Sequence, residues 1–144
     1  MGAAKKIIFF IVEAVDINKA VLALAGADGK IIVKQEIKFS VGKIRLLKRI
    51  SDFFKKEKID FSDISGIIAA TGPGSFTSIR TSLSIINTWA GIMSIPAIGF
   101  SRHEFSSFDD LIEKGAAKLK KTKRPKIIKP FYGRPPDITA PKAR

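Results

Sequence analysis

Hydrophobic and polar positions along the first 40 residues follow the patterns of β-strands. Residues 7–12 form a continuous apolar run of strand length, which suits a central strand that is covered on both faces. Two further runs, residues 19–25 and 30–39, flank Asp28-Gly29, a strong hairpin turn signal. These three segments predict an antiparallel meander.

The period then changes to that of a helix. Apolar residues between positions 43 and 58 recur at helical spacing, and the opposite side is basic, so this segment predicts an amphipathic helix. A short buried strand is predicted at 66–70. A tight loop at 71–75 leads into a second helix that runs to about Met93, with Ser75 or Thr77 as its cap.

The remaining elements are a fifth strand, a third helix and a tail. Residues 95–100 predict the strand, and residues 105–121 predict the helix, with Ser101 as a candidate cap. The tail from Thr122 holds five of the seven prolines. We therefore expect it to be extended and mostly without core.

The order β-β-β-α-β-α-β-α predicts an α/β domain with a mixed five-stranded sheet flanked by helices. This is the ribonuclease H-like arrangement, the N-lobe half-unit of actin-like ATPases. The domain is expected to span residues 1–117, followed by an extended basic C-terminal tail at 118–144.

Charge is concentrated near the C-terminus of the chain. The 144 residues carry a formal net charge of +13, and residues 111–144 contain 11 basic and 2 acidic side chains. This surplus indicates either contact with a polyanion such as RNA or a solvated tail that aids solubility. The candidate RNA contacts are Lys120, Lys121, Lys123 and Arg124.

Composition narrows the class of protein. The chain has no cysteine, which excludes disulfides, thiolate zinc sites and cysteine nucleophiles. No apolar run approaches the roughly 18 residues of a membrane span. A cytoplasmic protein without membrane attachment is expected.

The most informative motif is the glycine loop after the fourth strand. Its residues are Gly72, Pro73, Gly74, Ser75, Phe76, Thr77 and Arg80. Backbone amides at a helix N-terminus can hold an anion, but the spacing fits neither a Walker A loop nor a dinucleotide fingerprint. The residues alone leave a structural turn and an anion site both open.

Candidate catalytic groups are sparse. Glu13 and Asp16 follow the first strand, where nucleases of this fold bind magnesium, and further acids lie at Glu104, Asp109 and Asp110 without clear pairing. His103 is the only histidine, and a triad with Ser75 and Asp109 would require distances that the sequence does not fix. We predict no catalytic residue, metal or cofactor in this chain.

The helices carry more apolar surface than one sheet face requires. Core packing explains most of these residues, and the remainder could serve a partner through an aromatic anchor. The candidate interface residues are Leu47, Phe54, Leu83, Ile86 and Trp89.

Residues 72–80 (GPGSFTSIR) resemble the signature GPGSFTGLR of the TsaB (YeaZ) family of tRNA threonylcarbamoyladenosine biosynthesis proteins. Residues 61–64, residues 95–101 and the tail segment 129–136 resemble the family's flanking and closing segments. The chain departs from the pattern at Ser78 and at residues 13–16. The second lobe of the family is essentially absent, so the chain looks like a short, single-lobe member.

The resemblance implies a non-catalytic subunit. It would pair through its helices with a TsaD-type catalytic subunit, act with a TsaE-type ATPase, and meet tRNA through the complex. A homodimer in the partner's absence stays an alternative. Two rival functions also remain: a basic RNA-binding module, and a ribonuclease H-like nuclease or peptidase-type enzyme.

Overall fold

The computed structural model describes residues 6–39, 46–123 and 126–132, which form a five-stranded sheet with three helices. The strands are β1 (Ile8–Glu13), β2 (Lys19–Gly26), β3 (Ile31–Lys38), β4 (Gly66–Ala70) and β5 (Ala97–Phe100). The helices are α1 (Leu46–Glu57), α2 (Phe76–Met93) and α3 (Phe108–Leu119). Short 3-10 turns lie at Phe61–Asp63 and Arg102–Glu104.

The sheet has the order β3-β2-β1-β4-β5. The β1–β2 and β2–β3 pairs are antiparallel, whereas β1–β4 and β4–β5 are parallel. The predicted element order and mixed sheet are confirmed. The parallel half brings the carboxyl ends of β1, β4 and β5 to one edge of the sheet, where the loops that follow these strands meet.

Two hydrophobic clusters cover the two faces of the sheet. Inward residues of α1 and α2 pack on one face, around Phe10, Phe53 and Ile86. Residues of α3 pack on the other face, around Ile11 and Leu111. Because β1 and β4 are covered on both sides, their sequences are continuous apolar runs rather than alternating ones.

Element boundaries differ from the sequence prediction mainly at α3. The helix begins at Phe108, and its cap is Ser107, whose Oγ accepts a hydrogen bond from Asp110 N at 3.0 Å. Ser101 instead precedes the 3-10 turn at Arg102–Glu104. The predicted cap, Ser101, was wrong because Ser101 and Ser107 both have the side chain of a helix cap, and the sequence pattern did not show which of them directly precedes the helix.

Among the described residues, no helix combines the length and apolar character that a membrane span requires.

Candidate functional site: the glycine loop and its neighbouring surfaces

The glycine loop connects β4 to α2 through a backbone that only glycine adopts easily. Gly72 has φ of +126°, and the Gly72-Pro73 peptide bond is cis. Ser75 ends the loop as the cap of α2, with its Oγ accepting a hydrogen bond from Ser78 N at 3.3 Å. The predicted loop and the first of the two predicted caps are confirmed.

The segments that follow β1 and β5 hold this loop through backbone hydrogen bonds. Ser75 N donates to Val15 O at 2.7 Å, and Arg102 N donates to Gly72 O at 2.8 Å. Gly74 lies so close to Val15 that a Cβ at position 74 would collide with the Val15 carbonyl. The motif therefore connects the chain after β1 with the chain after β5.

The C-terminal segment 126–132 docks beside the loop. Ile128 exchanges two hydrogen bonds with the Asn87 side chain of α2, at 2.8 and 3.0 Å, and its own side chain is buried. Phe131 N donates to Thr71 O at 2.9 Å, and the Phe131 carbonyl occupies the space that a Cβ at Gly72 would need. Segment 126–132 has no regular secondary structure, and its Ile128 side chain belongs to the hydrophobic cluster on the α1–α2 face of the sheet.

The exposed side chains of the motif continue this contact. The Phe76 ring stacks on Tyr132 at a centroid distance of 4.9 Å, and the Arg80 guanidinium lies over Phe76 at 5.2 Å. Phe76, Thr77 and Arg80 are exposed. Asn87, Ile128 and Phe131 are the residues that sequence reasoning missed here. No local signal distinguishes Asn87 from the other polar residues of α2.

Two acids at the C-terminal end of β1 and just beyond it are paired with a cation from the turn after β5. Arg102 Nη2 lies 3.3 Å from Asp16 Oδ2 and 3.5 Å from Glu13 Oε2. Glu104 accepts a hydrogen bond from Ser101 N at 2.8 Å within its own turn. In the described part of the chain, no group of three or more metal-ligating side chains comes together. Sequence reasoning missed Arg102, which carries no local motif.

His103 and the acids of α3 lie in separate environments. The His103 ring packs edge-on against Phe131 at 5.7 Å. Asp110 accepts hydrogen bonds from Ser106 and pairs with Lys114 at 3.1 Å. The Ser106 backbone N–H, followed by Lys114, holds the pKa of Asp110 below its ordinary value. Asp109 is exposed.

Burial changes the list of candidate interface residues. Phe54, Leu83 and Ile86 are buried against the sheet and are therefore not available to a partner. Leu47 is 55% exposed, and Trp89 is half-buried. The sequence analysis assigned all five residues to the interface because helical spacing identifies an apolar stripe but does not show which of its residues are buried and which are exposed.

Trp89 belongs to an aromatic cluster at the margin of the α1–α2 layer. Its ring centroid lies within 4.8–5.4 Å of Phe10, Phe54 and Phe61. Its indole N–H and the Arg49 Nε are buried without a hydrogen-bond partner in the described structure. Unpaired buried donors cost free energy.

The candidate RNA contacts lie around the end of α3. Lys120, Lys121 and Lys123 are exposed. Arg124 lies outside the described residues. Contact of these lysines with RNA stays a prediction.

A five-stranded mixed sheet of this order, with α1 and α2 on one face and α3 on the other, is the ribonuclease H-like fold of actin-like proteins. The family model described as "TsaD: tRNA N6-adenosine threonylcarbamoyltransferase" matches residues 43–128, more than half of the chain. The chain therefore belongs to this family.

Two solved structures share the fold. "YeaZ from Pseudomonas aeruginosa" is 19% identical, with a TM-score of 0.56 over 65% of this chain and 44% of that one. A second, "an uncharacterized protein with similarity to peptidase YEAZ from Pseudomonas aeruginosa", is 18% identical, with a TM-score of 0.55 over 67% and 43%. The chain thus spans less than half the length of these structures. No curated protein matches it. The TsaB (YeaZ) resemblance is confirmed.

Proposed function

We propose that this chain is a non-catalytic scaffold subunit in the formation of N6-threonylcarbamoyladenosine in tRNA. It has no reaction of its own and pairs with a TsaD-type catalytic subunit. Two observations support the proposal: the family match over residues 43–128, which indicates this tRNA modification, and the resemblance of residues 72–80 to the TsaB (YeaZ) signature. The non-catalytic role follows from that resemblance. A TsaE-type ATPase and tRNA would join through the complex, in the cytoplasm.

The contacts of the glycine loop support a structural role for the motif. Gly72 and Gly74 are required by close approaches of Phe131 and Val15, and Ser75 caps α2. The acids of the neighbouring loop are paired with Arg102. Close packing and helix capping therefore suffice to explain why Gly72, Gly74 and Ser75 occur in the motif.

The exposed margin of the α1–α2 layer supports a partner surface. Ile85, Trp89 and Ile92 follow one stripe of α2 at helical spacing, and Ile92 is 75% exposed. Leu47 adds exposed apolar area on α1. With the half-buried Trp89 ring at its centre, this surface has an aromatic centre and an apolar rim, which is typical of binding hot spots.

The test is association with the TsaD-type protein of the same genome. Mixed at micromolar concentrations, the two proteins are expected to elute as one complex whose mass is measured by light scattering. Leu47→Glu or Ile92→Glu should weaken the complex by more than about tenfold, because burial of an unpaired carboxylate is costly.

Ile32→Glu is the matched control, because Ile32 is 51% exposed on β3, away from both helices. It should leave association unchanged. Two separate peaks for the unaltered chain would contradict the proposal. Equal weakening by all three variants would retain pairing but reject the α1–α2 surface. The mass of the chain alone tests whether the same surface forms a homodimer.

A further inference from the structure

A groove with basic walls lies beside the glycine loop on the β5 edge of the sheet. One wall is the edge of β5, the second is the end of α3, and the third is the docked segment 126–132. Lys118 comes from α3, whereas Lys126 and Lys129 come from the segment. This site is separate from the α1–α2 surface, and its three lysines are not among those that the sequence singled out.

Within the described residues, none of the three lysines forms an ion pair. All three are exposed, and the ion pairs of the described residues involve Lys48, Arg102 and Lys114 instead. The one acid among the lining residues, Glu104, keeps its negative charge while it accepts a hydrogen bond from the backbone N–H of Ser101, so three lysines are set against one glutamate. Residues 118–132 contain seven basic side chains and no acidic one. The groove therefore has a net positive potential.

The docking contacts hold these charges in place. Ile128, which lies between Lys126 and Lys129, is fixed by its paired hydrogen bonds to Asn87 and by burial of its side chain against Gly99. Lys118 is positioned over the Phe100 ring at 5.4 Å. A backbone that is already ordered loses less entropy when its side chains bind a ligand.

We propose that this groove binds the phosphate backbone of RNA, with Lys118, Lys126 and Lys129 as the contacts. Lysine ammonium groups neutralise phosphates without reading bases, so binding is independent of sequence. The basic run continues from the groove through Lys120, Lys121 and Lys123. That extent suits a polymer with many phosphates better than a single free nucleotide. The choice of tRNA as the probe rests on the proposed function.

The experiment measures binding of the full chain to an unmodified tRNA transcript by fluorescence anisotropy over a range of salt concentrations. The variant Lys118→Gln/Lys126→Gln/Lys129→Gln is compared with Lys38→Gln/Lys55→Gln/Lys56→Gln. The control removes three exposed lysines from β3 and α1, so the two proteins have the same net charge. Circular dichroism checks that both fold.

The groove variant should lose affinity on the order of 10²-fold at 0.1 M salt, and its log–log salt slope should fall by about two to three. The control should change much less. Equal losses in both variants would overturn the proposal, because binding would then follow net charge alone. Competition by polyglutamate as strong as that by unlabelled RNA of equal charge would also overturn it, in favour of an acidic protein ligand.

These outcomes are separable from those of the partner experiment. The groove variant should still pair with the TsaD-type protein. Unchanged tRNA affinity with intact pairing would reject the groove and leave the proposed function standing. Loss of tRNA affinity in a chain that never pairs would reject the proposed function and leave the groove standing.

Discussion

The N-terminal ends of α2 and α3 have the same kind of cap but are stabilised by different contacts. Both helices follow a parallel strand of the sheet, and both are capped by a serine whose Oγ accepts a backbone hydrogen bond three residues on. The loop before α2 contains two glycines that other backbone segments approach closely. The turn before α3 relies on side chains, with Asp110 accepting from Ser106 and pairing with Lys114.

The difference shows why one of these turns carries a recognisable motif. The α2 start lies among the chain after β1, the chain after β5 and the docked tail, so its residues are restricted to those without a Cβ at two positions. The α3 start faces solvent, and many polar sequences could provide its hydrogen bonds. A distinctive motif here reflects crowding of the backbone, which does not require a reaction.

The largest effect is expected from Gly72→Ala. The new Cβ would meet the Phe131 carbonyl and approach Ile79 Cδ1 to 2.9 Å at a backbone φ of +126°. We expect a loss of about 3 kcal/mol in the free energy of unfolding. Urea denaturation followed by Trp89 fluorescence measures it.

Gly91→Ala provides the control for this prediction. Gly91 lies in α2 with open space around its Cα, so alanine there should stabilise the protein by about 0.5–1 kcal/mol. If Gly72→Ala were as harmless as Gly91→Ala, the crowding attributed to the loop would be incorrect.

A smaller effect is expected from Ile128→Ala, which weakens the tail that supports the α2 start. The side chain is 8% exposed, and its truncation should cost about 2 kcal/mol. Because the loss is local, hydrogen exchange should rise first at the Phe131 amide, which bonds Thr71 O. Ile127→Ala is the matched control, since Ile127 is 78% exposed. Unchanged exchange in Ile128→Ala would show that the tail docks through its backbone alone.

The sequence predicted the sheet, the helices and the glycine loop because each rests on local pattern. The apolar run of β1, the Asp28-Gly29 turn and the period of α2 all lie within short windows. Docking of residues 126–132 escaped prediction because the Asn87–Ile128 pair spans 41 positions. The Arg102 contacts with Glu13 and Asp16 span more than 80. Such contacts depend on strand order, which no local window contains.

The interface prediction shows a second limit of the same kind. Leu83 and Trp89 share an apolar helix, but one is buried and the other lies at the margin. Helical periodicity places both on one broad stripe. To predict that Leu83 is buried and Trp89 only half-buried, one must know where the sheet lies and where Phe54 and Phe61 pack against Trp89.

The smallest effect on stability is expected from removing the negative charge of Asp110 at the start of α3. Hydrogen bonds from Ser106, together with Lys114, lower the pKa of Asp110 from 3.8. The carboxylate is thus favoured in the folded state, so its stabilising contribution is present above about pH 3.8 and disappears as the pH falls through the lower folded-state pKa. Asp110→Asn should lower the urea midpoint slightly at neutral pH, with no difference from the unaltered chain in strong acid. Asp109→Asn, one residue earlier in the same turn, should shift the midpoint less. A difference for Asp110→Asn that persists unchanged into strong acid would mean that shape and hydrogen bonding at this position, rather than charge, stabilise the start of α3.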